Sequence, residues 1–457
     1  MDREPNQRLA ALMAEARATN KGLARRVRDA AQRHGVRLGT THVSVQRWLD
    51  GAGIQAETAS YVAEALGAKL GRRITTSDLG FAGLTMRPAP LGASYATSLA
   101  DALGVLDGLT QLRPEEKVSA SDLLHDNEVD SAVLSWLVSR PDGLPTSGAG
   151  APRRVGMRDV AAVRTANAMF MRLDFLFGGG HGHAALRHYF RQEVLPLLNA
   201  GYSEKVGQAL FTAASEMGEV LAWTAYDVGN HHLANRYLLA SLRLTQATDD
   251  RMMGATILAN MSHQANYLGE VPRAARLARA AVEGGRGRAT PRAQAMFAAH
   301  EARALASAHD LVGASRAMNE AERHFERADS ATDPDWLAYF DEAELIGEFS
   351  HCFRDLERPA DALRFAELAV EKTEPQYART LAFCRMVLAQ SQYLHGEVEA
   401  AITTATTAVR EGESVQSARF RHYVSEFQRK ISPHAANAAV RDFNDHVRLA
   451  FADPADE

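Results

Sequence analysis

The stretch most suggestive of chemistry is LFGGGHGH at 176–183, where four glycines and two histidines follow one another closely. A glycine-rich loop can cradle a phosphate group, but a phosphate loop needs a preceding strand and a following Lys-Ser/Thr pair, and neither is found here. The dinucleotide spacing GxGxxG fails as well, because counting from Gly178 puts His183 where the last glycine belongs. The stretch is therefore not predicted to bind a nucleotide.

Histidines spaced this closely can also ligate a metal ion. His181 and His183, with His188 beyond them, have no cluster of cysteine, aspartate or glutamate around them, and we expect no metal here. Glycine ends helices by adopting left-handed conformations. We interpret the stretch as the hinge between a helix over 157–177 and one over 183–198. Whether His181 or His183 faces a binding groove stays open.

Catalytic motifs are missing from the rest of the sequence, which has no GxxxxGK[ST], HExxH, CxxC or GxSxG pattern. Its two cysteines, Cys352 and Cys384, fit a protein with free thiols better than a disulfide scaffold, and a specific bridge between them stays open. We expect a protein that is not an enzyme and carries no cofactor.

The composition favours helices throughout. Of the 457 residues 46% are hydrophobic but only 7% aromatic, and alanine is abundant. Alanine and leucine favour helices, whereas strands prefer β-branched and aromatic residues. We predict an all-α protein of two or three domains. No apolar run approaches the ~18–20 residues of a membrane span and the chain starts without a signal-peptide core, so we expect a cytoplasmic protein with no membrane partner.

Charge is distributed unevenly along the chain. Residues 1–80 carry 13 Lys/Arg and 8 Asp/Glu, a net charge of +5, and the remainder carries −10. Five arginines crowd one stretch: Arg25, Arg26, Arg28, Arg33 and Arg37. A basic N-terminal region followed by an acidic remainder indicates that the first part binds a polyanion and the second does not. The alternative is chance combined with solvated helix faces.

Four helices are predicted in the N-terminal region, over 6–18, 21–34, 41–49 and 55–70. In the third, Val45, Trp48 and Leu49 share one face and can be buried. The rest of that helix carries short or long hydrogen-bonding side chains: Thr41, His42, Ser44, Gln46 and Arg47.

Such side chains can reach base edges in a major groove, and a short helix behind a basic one is the helix-turn-helix arrangement. We therefore predict that this helix reads double-stranded DNA. Phosphate contacts would come from Arg26, Arg28 and Arg37, which position the domain without reading sequence. The alternative is a four-helix cap whose third helix is merely solvated.

Proline, glycine and serine concentrate at 140–156, a composition typical of a flexible linker. We divide the chain into a helix-turn-helix DNA-binding domain over 1–82, a linker with short helices over 83–156, a repeat domain over 157–450 and a tail over 451–457.

The repeat domain has a recurring landmark, in which a turn residue is followed five positions later by alanine. The pairs are Gly229/Ala234, Gly269/Ala274, His309/Ala314, Glu357/Ala362 and Gly396/Ala401. Helix pairs that recur about every 40 residues are typical of an α-solenoid, and these units resemble tetratricopeptide repeats.

The tetratricopeptide register assigns a concave face. One position along it reads Trp223, His263, Arg303, His351 and Gln390 in successive repeats, and Tyr226, Asn266 and Tyr267 lie beside it, with Glu216, Glu219 and Glu344 on the same face. Large side chains with polar tips suit recognition of a peptide or a small polar molecule. The alternative is an ordinary solvated face.

Several stretches together resemble a group of actinobacterial regulators that join an N-terminal helix-turn-helix to C-terminal tetratricopeptide repeats. They are TTHVSVQRWLDG at 40–51, RLDFLFGGGHGH at 172–183, AWTAYDVGNHHLANRYLLASLRL at 222–244, GATILANMSHQANYLG at 254–269, RGRATPRAQA at 286–295 and YFDEAELIGEFSHCFRDLERPADAL at 339–363. The resemblance implies a transcriptional regulator, some of whose relatives act in differentiation and secondary metabolism. It brings no defined ligand.

We therefore expect a DNA-binding regulator whose repeat domain forms a homodimer and senses a peptide or small-molecule effector, and which lies at the nucleoid when bound to DNA. The alternative is a protein-interaction adaptor that binds a partner protein in the groove and no DNA.

Overall fold

The structure is a computed structural model. It describes residues 5–33, 38–70, 72, 74, 76, 78–81, 91–112, 126–144 and 154–451. The regular secondary structure of these residues is helical, with no strand beyond one isolated bridge between Arg154 and Gly201, which confirms the predicted all-α class. The chain divides into two compact units, Met1–Pro90 and Leu91–Glu457. In the described residues, no helix is both long enough and apolar enough to cross a membrane.

The N-terminal unit contains four helices: α1 (Gln7–Glu15), α2 (Asn20–Arg33), α3 (His42–Leu49) and α4 (Ala56–Leu70). Each lies within about three residues of its predicted span. Leu9, Leu23, Val27, Val45 and Leu66 are buried in a common core. The predicted apolar face of α3 therefore packs inward, and its other side is left to solvent.

The second unit begins with α5 (Leu99–Gln111) and α6 (Asp126–Val138) and continues as a nearly unbroken series of helices. The next are α7 (Met157–Phe177), α8 (Gly179–Tyr189), a π-helical turn (Phe190–Val194) and α9 (Leu195–Leu198). Five helix pairs follow: α10 (Glu204–Asp227) with α11 (His231–Thr248), α12 (Arg251–Tyr267) with α13 (Val271–Gly285), α14 (Pro291–Ser307) with α15 (Leu311–Phe325), α16 (Glu342–Asp355) with α17 (Pro359–Lys372), and α18 (Ala378–His395) with α19 (Val398–Glu411). The last helices are α20 (Ala418–Ile431) and α21 (Ala438–Ala450).

The five helix pairs share the landmark that the sequence predicts. All five turn residues have positive φ: Gly229 (85°), Gly269 (76°), His309 (57°), Glu357 (55°) and Gly396 (94°). All five alanines are fully buried: Ala234, Ala274, Ala314, Ala362 and Ala401. A left-handed residue ends one helix, and the small side chain lets the next helix pack closely against it. The tetratricopeptide-like pairing is confirmed.

The segment expected to be a linker with short helices over 83–156 holds α5 and α6, and both pack against the repeats. Trp136 of α6 is buried, and its indole N–H donates to the Thr245 hydroxyl of α11 at 3.1 Å. A Cβ at Gly254 or at Gly284 would lie within 2.4 Å of the Trp136 ring, so both glycines make room for it. Burial of this large ring favours attachment of the segment to the repeat unit.

The glycine stretch joins the first and last parts of the second unit. Helix α8 begins at Gly179 and not at the predicted residue 183, because the Gly179 N–H donates to the Asp227 carboxylate of α10 at 2.9 Å and starts the helix there. Gly180 N–H donates to the Gln416 carbonyl at 3.0 Å, and Gln416 N–H donates to the Phe177 carbonyl at 2.8 Å. The superhelix therefore closes on itself at this seam, which lies between 177–180 and the start of α20.

Candidate functional site

In the N-terminal unit, the exposed side of α3 presents His42 and Arg47. Neither side chain makes a hydrogen bond or an ion pair with another described residue. Both are therefore available to a ligand in solution.

The other predicted base-reading residues take part in local structure. Thr41 and Ser44 form a capping box, in which the Ser44 hydroxyl accepts from the Thr41 N–H at 3.2 Å and the Thr41 hydroxyl accepts from the Ser44 N–H at 3.4 Å. The Gln46 side chain accepts from Asn20 and donates to Asp50, each at 2.9 Å. These bonds define the start of α3 and its attachment to α2, so the three residues contribute to the position of the helix.

The three arginines predicted to contact phosphates differ in their settings. Arg26 is exposed on α2. Arg28 donates to the Thr40 carbonyl, which ties α2 to the residue just before the α3 N-cap. Arg37 lies outside the described residues.

In the second unit, an inner cavity of about 140 Å³ lies on the concave side of the repeats. Four residues of the predicted groove position line it: Trp223, His263, Arg303 and His351. Helices α7 and α20 close the opposite side, because Phe175, Arg419 and Tyr423 also line the cavity. The two helices therefore narrow the groove into a cavity that is partly open to solvent.

Among the other residues predicted for the groove, Glu219 and Glu344 also line the inner cavity. Outside its lining lie Tyr226, Asn266, Tyr267 and Gln390. Tyr226 is buried, and Arg419 lies over the rings of Tyr226, Trp223 and Tyr267 at 4.5, 5.2 and 5.8 Å from their centroids. The chain itself thus fills this part of the groove with a guanidinium. Farther along, Gln390 is fully buried and accepts from Arg354 at 3.2 Å. Asn266 is half-buried, and its side-chain oxygen has no partner among the described residues.

A buried ion-pair network joins the two ends of the superhelix. Arg379 of α18 donates to the Asp227 carboxylate of α10 at 2.7 Å and lies 3.7 Å from Asp174 of α7. Arg419 lies 3.6 Å from Asp227. The two guanidinium groups hold the pKa of Asp227 below its ordinary value even though burial opposes this. Since neither arginine followed from the sequence pattern, the network is a property of the tertiary structure.

A larger outer cavity of about 1110 Å³ adjoins the inner one. It lies between α7 and the residues around the starts of α16 and α18. Seven residues line both cavities: Met171, Phe175, Tyr339, Glu344, Gly347, Thr380 and Cys384.

The thiol of Cys384 is free and burial raises its pKa to about 12, so it is a poor nucleophile at neutral pH. Cys352 is also free, and the bridge left open by the sequence is not formed.

Two glutamates in the cavity walls form no direct ion pair with another described residue: Glu219 of α10 and Glu344 of α16. The charges of Arg379 and Arg303 act on Glu344 without such a pair. Both glutamate side chains face the cavities and are only partly exposed. Burial raises the pKa of each carboxyl to about 8, helped by Asp174 near Glu219 and by Glu348 near Glu344. The Glu219 carboxyl accepts one hydrogen bond, from the Asn260 amide at 2.6 Å.

The histidines around the cavity are uncharged at neutral pH. Burial lowers the pKa of His263, His300 and His351, and nearby Arg303 lowers it further.

At the seam, His183 lies 2.8 Å from the Thr224 hydroxyl, and burial lowers its pKa to about 4. His181 packs against the Phe177 ring. In the described part of the chain, no three histidine, cysteine or carboxylate side chains are grouped closely enough to hold a metal ion.

Comparison with known families gives one match. Residues 9–82 match the family described as the SP15 N-terminal domain, which covers the N-terminal unit and none of the repeats. Comparisons with curated proteins and with solved structures return no match.

Proposed function

We propose that this protein is a DNA-binding transcriptional regulator with an effector-binding repeat unit. The N-terminal unit binds duplex DNA through α3, and the second unit forms a homodimer and binds its effector in the adjoining cavities. The proposal assigns no chemical step to the chain.

The observation that best supports DNA binding is that two exposed side chains on α3 have no hydrogen-bond or ion-pair partner among the described residues. Arg47 and His42 project from a helix whose opposite face is anchored by buried Val45 and Trp48. Arginine is the commonest reader of guanine, and the exposed Arg26 on α2 adds positive charge for the phosphate backbone. The family resemblance of residues 40–51 supports the same assignment.

The test is selection from a randomised duplex library with the full chain. A regulator of this type enriches one sequence, and a homodimer enriches two half-sites about one helical turn apart. Arg47→Ala is expected to cost ~1–3 kcal/mol of specific binding and to relax the preference at one base position. Arg448→Ala removes an exposed arginine from α21 and serves as the matched control, with no expected change.

Phosphate contacts are strong at ~50 mM salt. If the full chain retains no duplex under these conditions, the result contradicts DNA binding and favours the adaptor function.

A further inference from the structure

We infer that the adjoining cavities of the second unit bind an organic cation, a small molecule whose ammonium group lies against Glu219 and Glu344 and whose apolar body lies against the aromatic walls. The inference rests on the proposed function in that it names the chemical class of the effector.

The first support is size. The two cavities are partly open to solvent, so a small molecule can reach them. The outer cavity holds about 1110 Å³ and adjoins an inner cavity of about 140 Å³. Pockets for small molecules usually measure ~300–1,000 Å³. The two cavities together are therefore large enough for a metabolite-sized ligand, and the inner cavity forms the innermost part of this space.

The second support is charge. The walls of the two cavities carry eight carboxylate side chains and five arginines. The innermost arginines are already paired, Arg303 with Glu348 at 3.0 Å and Arg379 with Asp227 at 2.7 Å. Glu219 and Glu344 form no direct ion pair among the described residues, and Glu344 lines both cavities. A buried carboxylate is stabilised by a cation that hydrogen-bonds to it, whereas an anionic ligand would be repelled.

The third support is the aromatic lining. Phe175, Trp223 and Tyr339 line the inner cavity, and Phe175 and Tyr339 also line the outer one. The same wall already holds cations over rings, since Arg379 and Arg419 lie 5.3 and 5.2 Å from the centroid of Phe383. Aromatic rings beside carboxylates recognise an ammonium group on an apolar body.

A buried amide in the outer cavity favours a ligand that carries a hydrogen-bond donor. Asn167 of α7 lines the outer cavity, is 3% exposed, and has a side-chain oxygen without a hydrogen-bond partner in the described residues. A buried acceptor without a donor costs ~1–3 kcal/mol, so such groups are normally satisfied. An N–H of a bound ammonium compound supplies the missing donor.

The test is isothermal titration of the full chain without DNA. The probes are phenethylamine and spermidine, with phenethyl alcohol and phenylacetate as neutral and anionic controls of the same body. The titration is run near pH ~8.5, where both carboxyls ionise and a primary ammonium, with a pKa near ~10.4 as in lysine, stays charged.

At least one ammonium probe is expected to bind at least about tenfold more tightly than either control. Glu219→Gln and Glu344→Gln should each weaken that binding about tenfold to a hundredfold, as expected for a charge-assisted hydrogen bond. Glu322→Gln, an exposed change on α15, is the matched control and should leave affinity unchanged.

Three outcomes overturn the inference: binding of neither ammonium probe, equal binding of phenethyl alcohol, or full affinity in the double Gln variant. Because glutamine resembles a protonated carboxyl, the variants should fold, and circular dichroism checks this. If the double variant does not fold, the single variants and the phenylacetate comparison decide. Duplex selection without any amine tests the DNA half separately, so the two failures are distinguishable.

Discussion

At the scale of single residues, Asp227 is the group on which several segments converge. Its carboxylate accepts from the Gly179 N–H at the start of α8 and from Arg379 of α18, and it lies 3.6 Å from Arg419 of α20. The side chain is fully buried. A buried charge is tolerated only when partners replace the lost water, and here one carboxylate and two guanidinium groups do this for each other.

We predict that Asp227→Ala lowers the free energy of unfolding by ~3–5 kcal/mol, because it leaves two buried guanidinium groups short of an anion. Urea denaturation of the full chain measures this. The control is Asp445→Ala, which removes an exposed ion pair with Arg448 and should change stability by less than ~1 kcal/mol. Equal effects of the two substitutions would contradict a structural role for the network.

At the scale of helices, each repeat is defined by a left-handed turn residue and a buried alanine. Three of the five turns use glycine, but His309 and Glu357 hold the same conformation with a side chain. A Cβ in this region meets the following carbonyl oxygen, which costs roughly 1–2 kcal/mol. Two of the turns are therefore strained, and the packing of their helix pairs holds them in place.

We predict that His309→Gly and Glu357→Gly each raise stability by up to about 1 kcal/mol, because the relief of strain exceeds the ~0.4–1 kcal/mol of extra chain entropy that glycine loses on folding. Thermal unfolding measures the shift.

The matched control for these two variants is Gly269→Ala, at φ 76° with no atom within 4 Å of the new Cβ. It tests backbone strain alone and should destabilise. A stabilising Gly269→Ala would show that the strain argument fails for these turns.

At the scale of the second unit, closure of the superhelix brings together the walls of the two cavities. The seam depends on close backbone approach, since a Cβ at Gly179 would lie 2.7 Å from the Thr224 carbonyl oxygen and 2.9 Å from Asp227 Cβ. Backbone atoms cannot move aside as a flexible side chain can. Small changes at the seam should therefore alter how α7 and α20 close the cavities.

Gly179→Ala is expected to destabilise the unit by ~1–3 kcal/mol through overpacking, and to speed hydrogen exchange at the Gly180 and Gln416 amides, which donate across the seam. Gly104→Ala on α5 is the control. Its Cβ meets nothing within 4 Å, so it should stabilise by ~0.5–1 kcal/mol. Unchanged exchange at both amides in Gly179→Ala would contradict the prediction.

The cavity carboxyls also set the pH dependence of stability for the whole unit. Burial raises the pKa of Glu216 to about 7 and of Glu219 and Glu344 to about 8, above the ordinary value of 4.5. Between pH 6.5 and pH 8 these three carboxyls therefore bind more protons in the folded state than in the unfolded chain, and their contribution to stability falls as pH rises. Below pH 6.5 the buried neutral histidines, such as His263, act in the opposite direction.

We predict a lower thermal midpoint for the ligand-free protein at pH 8 than at pH 6.5, with a smaller difference in the double variant Glu219→Gln/Glu344→Gln. The exposed change Glu322→Gln should keep the wild-type difference. A double variant that keeps the full wild-type difference would contradict the raised pKa of the two carboxyls.

The sequence by itself determined the elements of this protein. Helix spans, the positions of the five repeat turns and the alanines that follow them were predicted from propensity, capping and spacing, because these interactions act between residues close together in the chain. The register also put Glu219 and Glu344 on the concave face. Only the tertiary structure decided that Arg379 and Arg419 neutralise Asp227 and not these glutamates, and that LFGGGHGH forms a seam as well as a hinge. Superhelix curvature accumulates from small rotations between repeats, so contacts between residues separated by more than a hundred positions leave no local signal.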